Sequence, residues 1–187
     1  INPTGGAGVV ETINAKAASR VTVLGGTINN LSIQTTDTME LDYIDLAGGT
    51  YQNISFPNIS GNITQTDLLA ENCAFRCDED FSKYNAGDLI DYGFRLDAKT
   101  VIENLSVVPC EHTVKNDWLG CCGHCGKTYA VKITSADGTV TYLETLPEEG
   151  LTNAEGDTIT PLQDLTKITV KGSCRIELNG RTIGTLD

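Results

Sequence analysis

"LGGTINNLSI", Leu24 to Ile33, lies over "AGGTYQNISF", Ala47 to Phe56, at an offset of 23 residues. Gly25-Gly26-Thr27 falls on Gly48-Gly49-Thr50, and Asn30-Leu31-Ser32 falls on Asn53-Ile54-Ser55. A further step of 23 carries Leu46-Ala47 onto Leu69-Ala70, where Glu71-Asn72 replaces the glycine pair ahead of Cys73. Short alternating strands with Gly or Asn at the corners, at this period, match the coil of a parallel β-solenoid. Each corner favours a residue that tolerates φ > 0, and inward Val, Leu and Ile stack on their equivalents in the next coil. The competing reading is a β-sandwich whose strands share only their turn chemistry.

A solenoid of a few coils has two exposed ends, each a row of unpaired strand groups that must be capped or continued. The acidic, irregular stretch from Asp78 to Thr100 is the candidate cap on the C-terminal side. The chain opens on Ile1-Asn2-Pro3-Thr4, without a Met or a basic and apolar leader, so the expectation is an excised piece of a longer parent. Asn-x-Ser/Thr triplets at Asn30, Asn53, Asn58, Asn62 and Asn104 match a glycosylation acceptor. A corner Asn followed by an inward Ile or Leu and an outward Ser or Thr writes the same triplet, and that structural reading is preferred.

The 187 residues suffice for one ordinary domain or two small ones, without cysteines to replace a missing core. Twenty-five acidic residues against 13 basic ones, a net charge of −12, argue against a nucleic-acid or anionic-membrane partner. No apolar run approaches the ~20 residues that cross a bilayer.

Four of the seven cysteines and both histidines fall in "VVPCEHTVKNDWLGCCGHCGKTYAV", Val107 to Val131. Cys122-Gly123-His124-Cys125-Gly126 has the shape of a zinc knuckle, and Cys110-Glu111-His112 adds a thiolate and an imidazole upstream. The spacing C-x-H-x9-C-x2-C offers three Cys and one His to a closed, structural Zn2+ site: Cys110, His112, Cys122 and Cys125. Cys121 competes with Cys122, which is preferred because it has knuckle spacing to Cys125. The ring of His124 is expected to point away. Disulfides among the same residues are the second reading. A catalytic thiol is the third, disfavoured because the candidate bases lie inside the crowded cluster. Cys73 and Cys77 are assigned to one solenoid corner, and Cys174 stands alone among C-terminal strands.

Beyond the cluster, Val131 and Ile133 alternate with Lys132 and Thr134, Asp137-Gly138 turns, and Val140 and Tyr142 resume, which reads as a hairpin. Three further strand runs follow, with turns near Lys171-Gly172 and Asn179-Gly180. Glu144 to Asn153 allows at most one helical turn, because Pro147 and Gly150 interrupt it.

"GDTITPLQDLTKITVKGSCRIELNGRTI", with Tyr142, Thr145 and Leu146 ahead of it, resembles the entry to a pectate-lyase-like β-helix in large repetitive cell-surface, adhesin-like proteins of Gram-positive gut bacteria. "LLAENCAF" (Leu68 to Phe75) and "LSVVPCEHT" are similar to the end of a preceding β-helix and its Cys/His linker in the same proteins. Asn72-Cys73 departs from the family's Gly-Tyr, the segment before "GDTIT" is shortened, and Cys121 is extra. The resemblance implies a secreted, cell-surface, non-catalytic structural or adhesive module. Its implied partners are a host or dietary glycan, or another surface protein, alongside the rest of the parent chain.

A polysaccharide-active β-helix enzyme is the alternative, as is a disulfide-stapled carbohydrate-binding module. A lyase wants a basic proton acceptor and carboxylates that hold calcium, and a hydrolase wants acids on consecutive coils. The first half has few bases (Lys16, Arg20, Arg76, Lys83, Arg95, Lys99), and its carboxylates Asp78, Glu79, Asp80, Asp88 and Asp91 gather in the cap. They are read as a solvated loop ahead of a calcium site. The expected architecture is therefore all-β. A short right-handed parallel β-helix end with an acidic cap takes residues 1–105, and a zinc-ribbon-like linker takes 106–130. A small β domain, which could begin a further β-helix, takes 131–187.

Overall fold

The computed structural model describes residues 8–16, 20–34, 44–60, 62–96 and 101–187. Ile1 to Thr4, Lys99 and the last four residues of the expected cap lie outside them. The chain divides into two compact units, Ile1–Thr113 with Gly123–Gly126, and Val114–Cys122 with Lys127–Asp187. Both are all-β, and the single helical turn among the described residues is the 3-10 turn Gln65–Asp67 in the first unit.

The first unit holds β1 (Val9–Lys16), β2 (Val21–Val23), β3 (Thr27–Gln34), β4 (Ile44–Leu46) and β5 (Gly49–Ser55). β6 (Ile63–Thr64), β7 (Cys73–Cys77), β8 (Arg95–Leu96) and β9 (Ile102–Pro109) follow. β1, β3 and β5 pair in parallel, with Thr27 on Thr50, Asn30 on Asn53, Leu31 on Ile54 and Ser32 on Ser55. These are the pairs that superposing the sequence on itself produces. β2 and β4 pair in parallel at the same offset, Val21 on Ile44 and Val23 on Leu46, and Leu46 bridges Leu69.

Each long strand breaks its in–out alternation at one place. Ile28 and Leu31 are both buried although three residues apart, as are Tyr51 and Ile54. A flat strand cannot do this, because its side chains alternate with period 2. The pairing accordingly skips Glu11, Asn29 and Gln52, so the stacked strands bend together. The bend strands carbonyls, and asparagines collect them. Asn30 Nδ2 donates to Glu11 O at 3.2 Å, and Asn53 Nδ2 donates to Asn29 O at 3.4 Å and Asn30 Oδ1 at 3.2 Å. The amides of these two acceptor-like triplets thus bridge neighbouring strands.

The glycine pairs answer to packing at the other corner. A Cβ on Gly48 would lie 2.6 Å from Leu24 O, and Gly49 has φ +104°. The chain passes too close to the strand below for any side chain. Inside, Val23, Leu46, Tyr51, Ile54, Leu68, Phe75 and Leu105 form a continuous core with almost no exposure. Each such side chain contributes about 1.5–3 kcal/mol of transfer free energy.

The third copy of the repeat diverges after Leu69. The sheet order is β1-β3-β5-β9-β7, so β9 lies between β5 and the strand expected to stack on it, antiparallel to both. Asn104 in β9 takes φ +51° opposite the bend of β5 and carries the kink into the antiparallel strand. β9 also runs straight through the boundary expected at residue 105. Cys73 and Cys77 are not at a corner. They lie on the same face of β7 as buried Phe75, four residues apart along an extended strand. That spans about 13 Å, too far for a disulfide.

The acidic stretch is organised by Phe81, Tyr84 and Phe94, whose rings meet edge to face at 5.8 and 5.7 Å. Its carboxylates serve local structure. Asp80 accepts from Ala86 N, Asp88 from Asn85 N, Glu79 from Asn104 Nδ2, and Asp91 from Lys83 Nζ and Tyr84 OH. Asp78 accepts from Arg76 and Ser106.

The second unit contains β10 (Lys115–Asn116), β11 (Cys121–Cys122), β12 (Val131–Thr134), β13 (Val140–Leu143) and β14 (Leu151–Thr152). Five short strands complete it where three runs are expected: β15 (Asp157–Pro161), β16 (Leu165–Ile168), β17 (Val170–Lys171), β18 (Cys174–Ile176) and β19 (Ile183–Leu186). The expected hairpin is β12–β13, with Val131 opposite Leu143 and Thr134 opposite Val140. No helix forms between Glu144 and Asn153; Gly150 N instead closes a turn on Pro147 O at 3.0 Å, at φ +90°. β15 pairs antiparallel with β12 and parallel with β18, while β14–β17 and β16–β19 are parallel pairs. Ala130, Val131, Leu151, Ile159 and Ile168 are the buried centre.

Asp117 ties the β10–β11 loop to the hairpin, accepting from Lys132 Nζ at 2.5 Å and Tyr142 OH at 2.8 Å. Burial works against the charge of Asp117, but those two bonds outweigh it and hold the carboxyl below its ordinary range. The Tyr142 phenol is pushed up to about 12, by burial first and by Asp117 second. A raised folded pKa contributes stability that is complete below the unfolded value near 10 and is lost as pH rises through about 12. Phenolate absorbance of wild type compared with Asp117→Asn checks this. The variant's phenol should titrate closer to its ordinary value, and the alkaline loss of stability should shrink.

Candidate metal centre

Strand β9 ends at Pro109 and delivers Cys110 at its tip, where Cys110 N donates to Asn72 O at 2.8 Å. Two residues on, His112 adopts φ +54°. A non-glycine residue in this region costs on the order of 1 kcal/mol and persists where its surroundings dictate it. β11 supplies the third residue. Cys121 and Cys122 are adjacent on one strand, so their side chains leave opposite faces, and only one of them can face the Cys110–His112 turn. It is Cys122.

The chain then reverses through Gly123 to Lys127, with Cys122 N donating to Lys127 O at 2.7 Å, and returns Cys125 to the same spot. Gly126 closes the reversal at φ +75°, and a Cβ there would fall 2.3 Å from the Tyr92 ring. The carbonyls of the reversal are held from the first unit's own residues. Tyr92 N donates to Gly123 O at 2.7 Å, and the amide of Gln65 donates to His124 O. Gln65 is 1% exposed and fully used: Nε2 also reaches Ile90 O at 2.9 Å, and Oε1 accepts from Phe75 N at 3.4 Å.

One ligand atom from each of Cys110, His112, Cys122 and Cys125 lies within 4.8 Å of all the others. Cys125 Sγ is 3.2 Å from His112 Nδ1. A tetrahedral ion with bonds of about 2.3 Å to sulfur and 2.0 Å to nitrogen spaces its ligands by roughly 3.5–3.8 Å. The cluster can therefore hold a metal ion with small side-chain adjustments. The three cysteines are buried and the histidine half-buried. Among the described residues this is the group of three or more His, Cys, Asp or Glu with such convergence. His124 lies outside it.

The remaining thiols are free: Cys73, Cys77, Cys121 and Cys174. Burial is the first cause that raises each, assisted by Asp45 at Cys73, Asp88 at Cys77, Cys122 at Cys121 and Asp157 at Cys174. Neutral thiols of this kind are poor nucleophiles and poor ligands. The spacing of the sequence points to the four clustered residues but not to Gln65 or Tyr92, which orient the knuckle. Nothing distinguishes Gln65 in "NITQTDLL" from a polar turn residue.

Comparison with protein-family models, curated proteins and solved structures finds no match to this chain.

Proposed function

We propose that this chain is a non-catalytic structural and adhesive segment of a secreted bacterial surface protein. In this reading one β-helix ends in the first unit, a second begins among the parallel pairs of the second unit, and a structural Zn2+ sits on Cys110, His112, Cys122 and Cys125. The convergence of those four donors carries the structural-zinc part of the proposal. Three sulfurs and an imidazole suit zinc, whereas calcium and magnesium want oxygen. A set of four protein donors fills a tetrahedral ion and leaves no position for a substrate or a reactive water, as in structural zinc sites. The left-handed His112 supports it, since the strain has a purpose if an ion gathers the ring.

Parallel pairing at an offset of 23 residues supports the β-helix, and so do the parallel pairs β14–β17, β15–β18 and β16–β19. The surface and adhesive role is supported by the motif resemblance around Leu68–Phe75 and Gly156–Ile183. The cap carboxylates Glu79, Asp80 and Asp88 accept hydrogen bonds from Asn104, Ala86 and Asn85, which supports reading them as local structure.

Native mass spectrometry with and without a chelator tests the zinc. The expected mass is the chain plus one zinc, falling to the apo mass after chelation. A mass short of the reduced chain by paired hydrogens and indifferent to chelator would mean a disulfide-stapled module and end the zinc reading.

A further inference from the structure

The chain's one tryptophan is not in a core. Trp118 is 83% exposed, on the rim of a cleft of about 780 Å3 built entirely within the second unit. That volume falls in the range of small-ligand sites. A tryptophan left in water forgoes a large apolar gain, and a loop carrying one normally folds it inward. Here the loop is prevented from doing so. Asp117 is fixed by Lys132 and Tyr142 on one side of the ring, and on the other Gly120 N donates to Asn116 O at 2.8 Å. Gly120 packs so closely on Leu162 that a Cβ would fall 2.3 Å from Leu162 O. Arg181 Nη2 donates to the Trp118 carbonyl at 2.6 Å, and Leu119 N to Asn116 Oδ1 at 3.0 Å. The backbone under the ring is thus clamped while its face stays open.

Leu119, Pro161 and Leu162 add apolar surface to the rest of the cleft, and its charged groups are largely matched. Lys132, Thr160, Asn179 and Arg181 contribute hydroxyl, amide and cationic groups beside Leu119. Lys132 is matched by Asp117, and Arg181 lies close enough to Asp164 to help hold that carboxyl ionised, after the bonds from Thr182. A flat apolar face next to planar donors and acceptors fits a molecule with one apolar face and an edge of hydroxyls. A pyranose ring has that shape, with its axial C–H groups on one face and its hydroxyls around the rim. We propose that this cleft binds a neutral pyranose of a glycan, stacked on Trp118 with its hydroxyls turned toward Asn179, Arg181 and the Asp117 carboxylate. The proposal deepens the adhesive half of the reading above and is independent of the metal.

Because Trp118 is the only indole, its fluorescence reports this cleft alone. The intact chain is titrated with neutral oligosaccharides (glucose, galactose, mannose, xylose and N-acetylglucosamine series), with galacturonate oligomers in parallel, and binding is confirmed by calorimetry. A neutral series should shift and quench the emission saturably. In calorimetry Trp118→Ala should weaken it about tenfold or more, Trp118→Phe less, and exposed Asn179→Ala about threefold. The Trp118 variants should keep the wild-type unfolding temperature, since the ring is not packed, whereas Asn179→Ala should lower it slightly because Asn179 has φ +44°. No response to any neutral sugar up to about 10 mM overturns the proposal, as does response to galacturonate alone. Unchanged affinity in Trp118→Ala overturns it too. Emission that moves with protein concentration, without sugar, would show a second copy covering the ring and also overturns it. Zinc content of the same samples is read separately, so a failed cleft and a failed metal site are told apart.

Discussion

Replacing Cys122 by Ser should abolish one-to-one zinc retention and lower the unfolding temperature by on the order of 10 °C, whereas Cys121→Ser should leave zinc in place. The two residues are neighbours, similarly buried, and differ in which face of β11 they leave. Only Cys122 joins Cys110, His112 and Cys125 within 4.8 Å. An ion bound to the folded state alone, at a free concentration about 1,000 times its Kd, stabilises by about 4 kcal/mol, and that is what the variant forfeits. Chelation of the wild-type protein should reproduce the shift, and acidification should release the ion as the thiolates protonate. Thermal melts with and without chelator, paired with metal analysis, measure all of this. If Cys121→Ser lost the zinc and Cys122→Ser kept it, the ligand assignment would be wrong.

Gln65→Ala should cost about 3–5 kcal/mol although it removes no apolar surface of consequence. The amide makes three bonds to backbone groups: Ile90 O, His124 O and Phe75 N. A buried backbone group stripped of its partner costs roughly 1–3 kcal/mol, and three are stripped at once. The loss should appear as a lower denaturant midpoint with an unchanged slope. Because His124 O belongs to the knuckle reversal, the same variant should release zinc to a chelator faster than wild type. A variant with wild-type stability but faster release would mean that Gln65 orients the knuckle without supporting the core.

The stacking of β3 on β5 was legible because it repeats a local pattern, whereas the pairing of β1 on β3, at an offset of 18 residues, was not. Glycine pairs, a Thr and an Asn recur 23 residues apart, and parallel strands in register place identical chemistry on top of itself. The triplets at Asn30 and Asn53 recur for the same reason, since each amide reaches across the bend to a carbonyl of the neighbouring strand. The convergence of Cys110, His112, Cys122 and Cys125 was legible from spacing, which limits what a short loop can bring to one place. Between Cys121 and Cys122, spacing was a preference and strand alternation a decision.

The insertion of β9 between β5 and β7 was not legible. Residues 102–109 carry the same mixture of Ile, Leu and Val as any neighbour, and which strand pairs with which depends on the shape of the unit already folded. β9 spans residue 105, where the boundary was expected.

By itself, then, the sequence determined what is local or periodic: an all-β chain, parallel pairing at a 23-residue step, the hairpin at Asp137-Gly138, and the four donors near residue 120. Tertiary structure alone decided the place of β9, the role of Gln65 and the cleft under Trp118. Each of these joins groups tens of residues apart, Gln65 to His124 or Trp118 to Arg181. Side-chain chemistry specifies what a group needs for a partner, while only the packed chain specifies which partner is within reach.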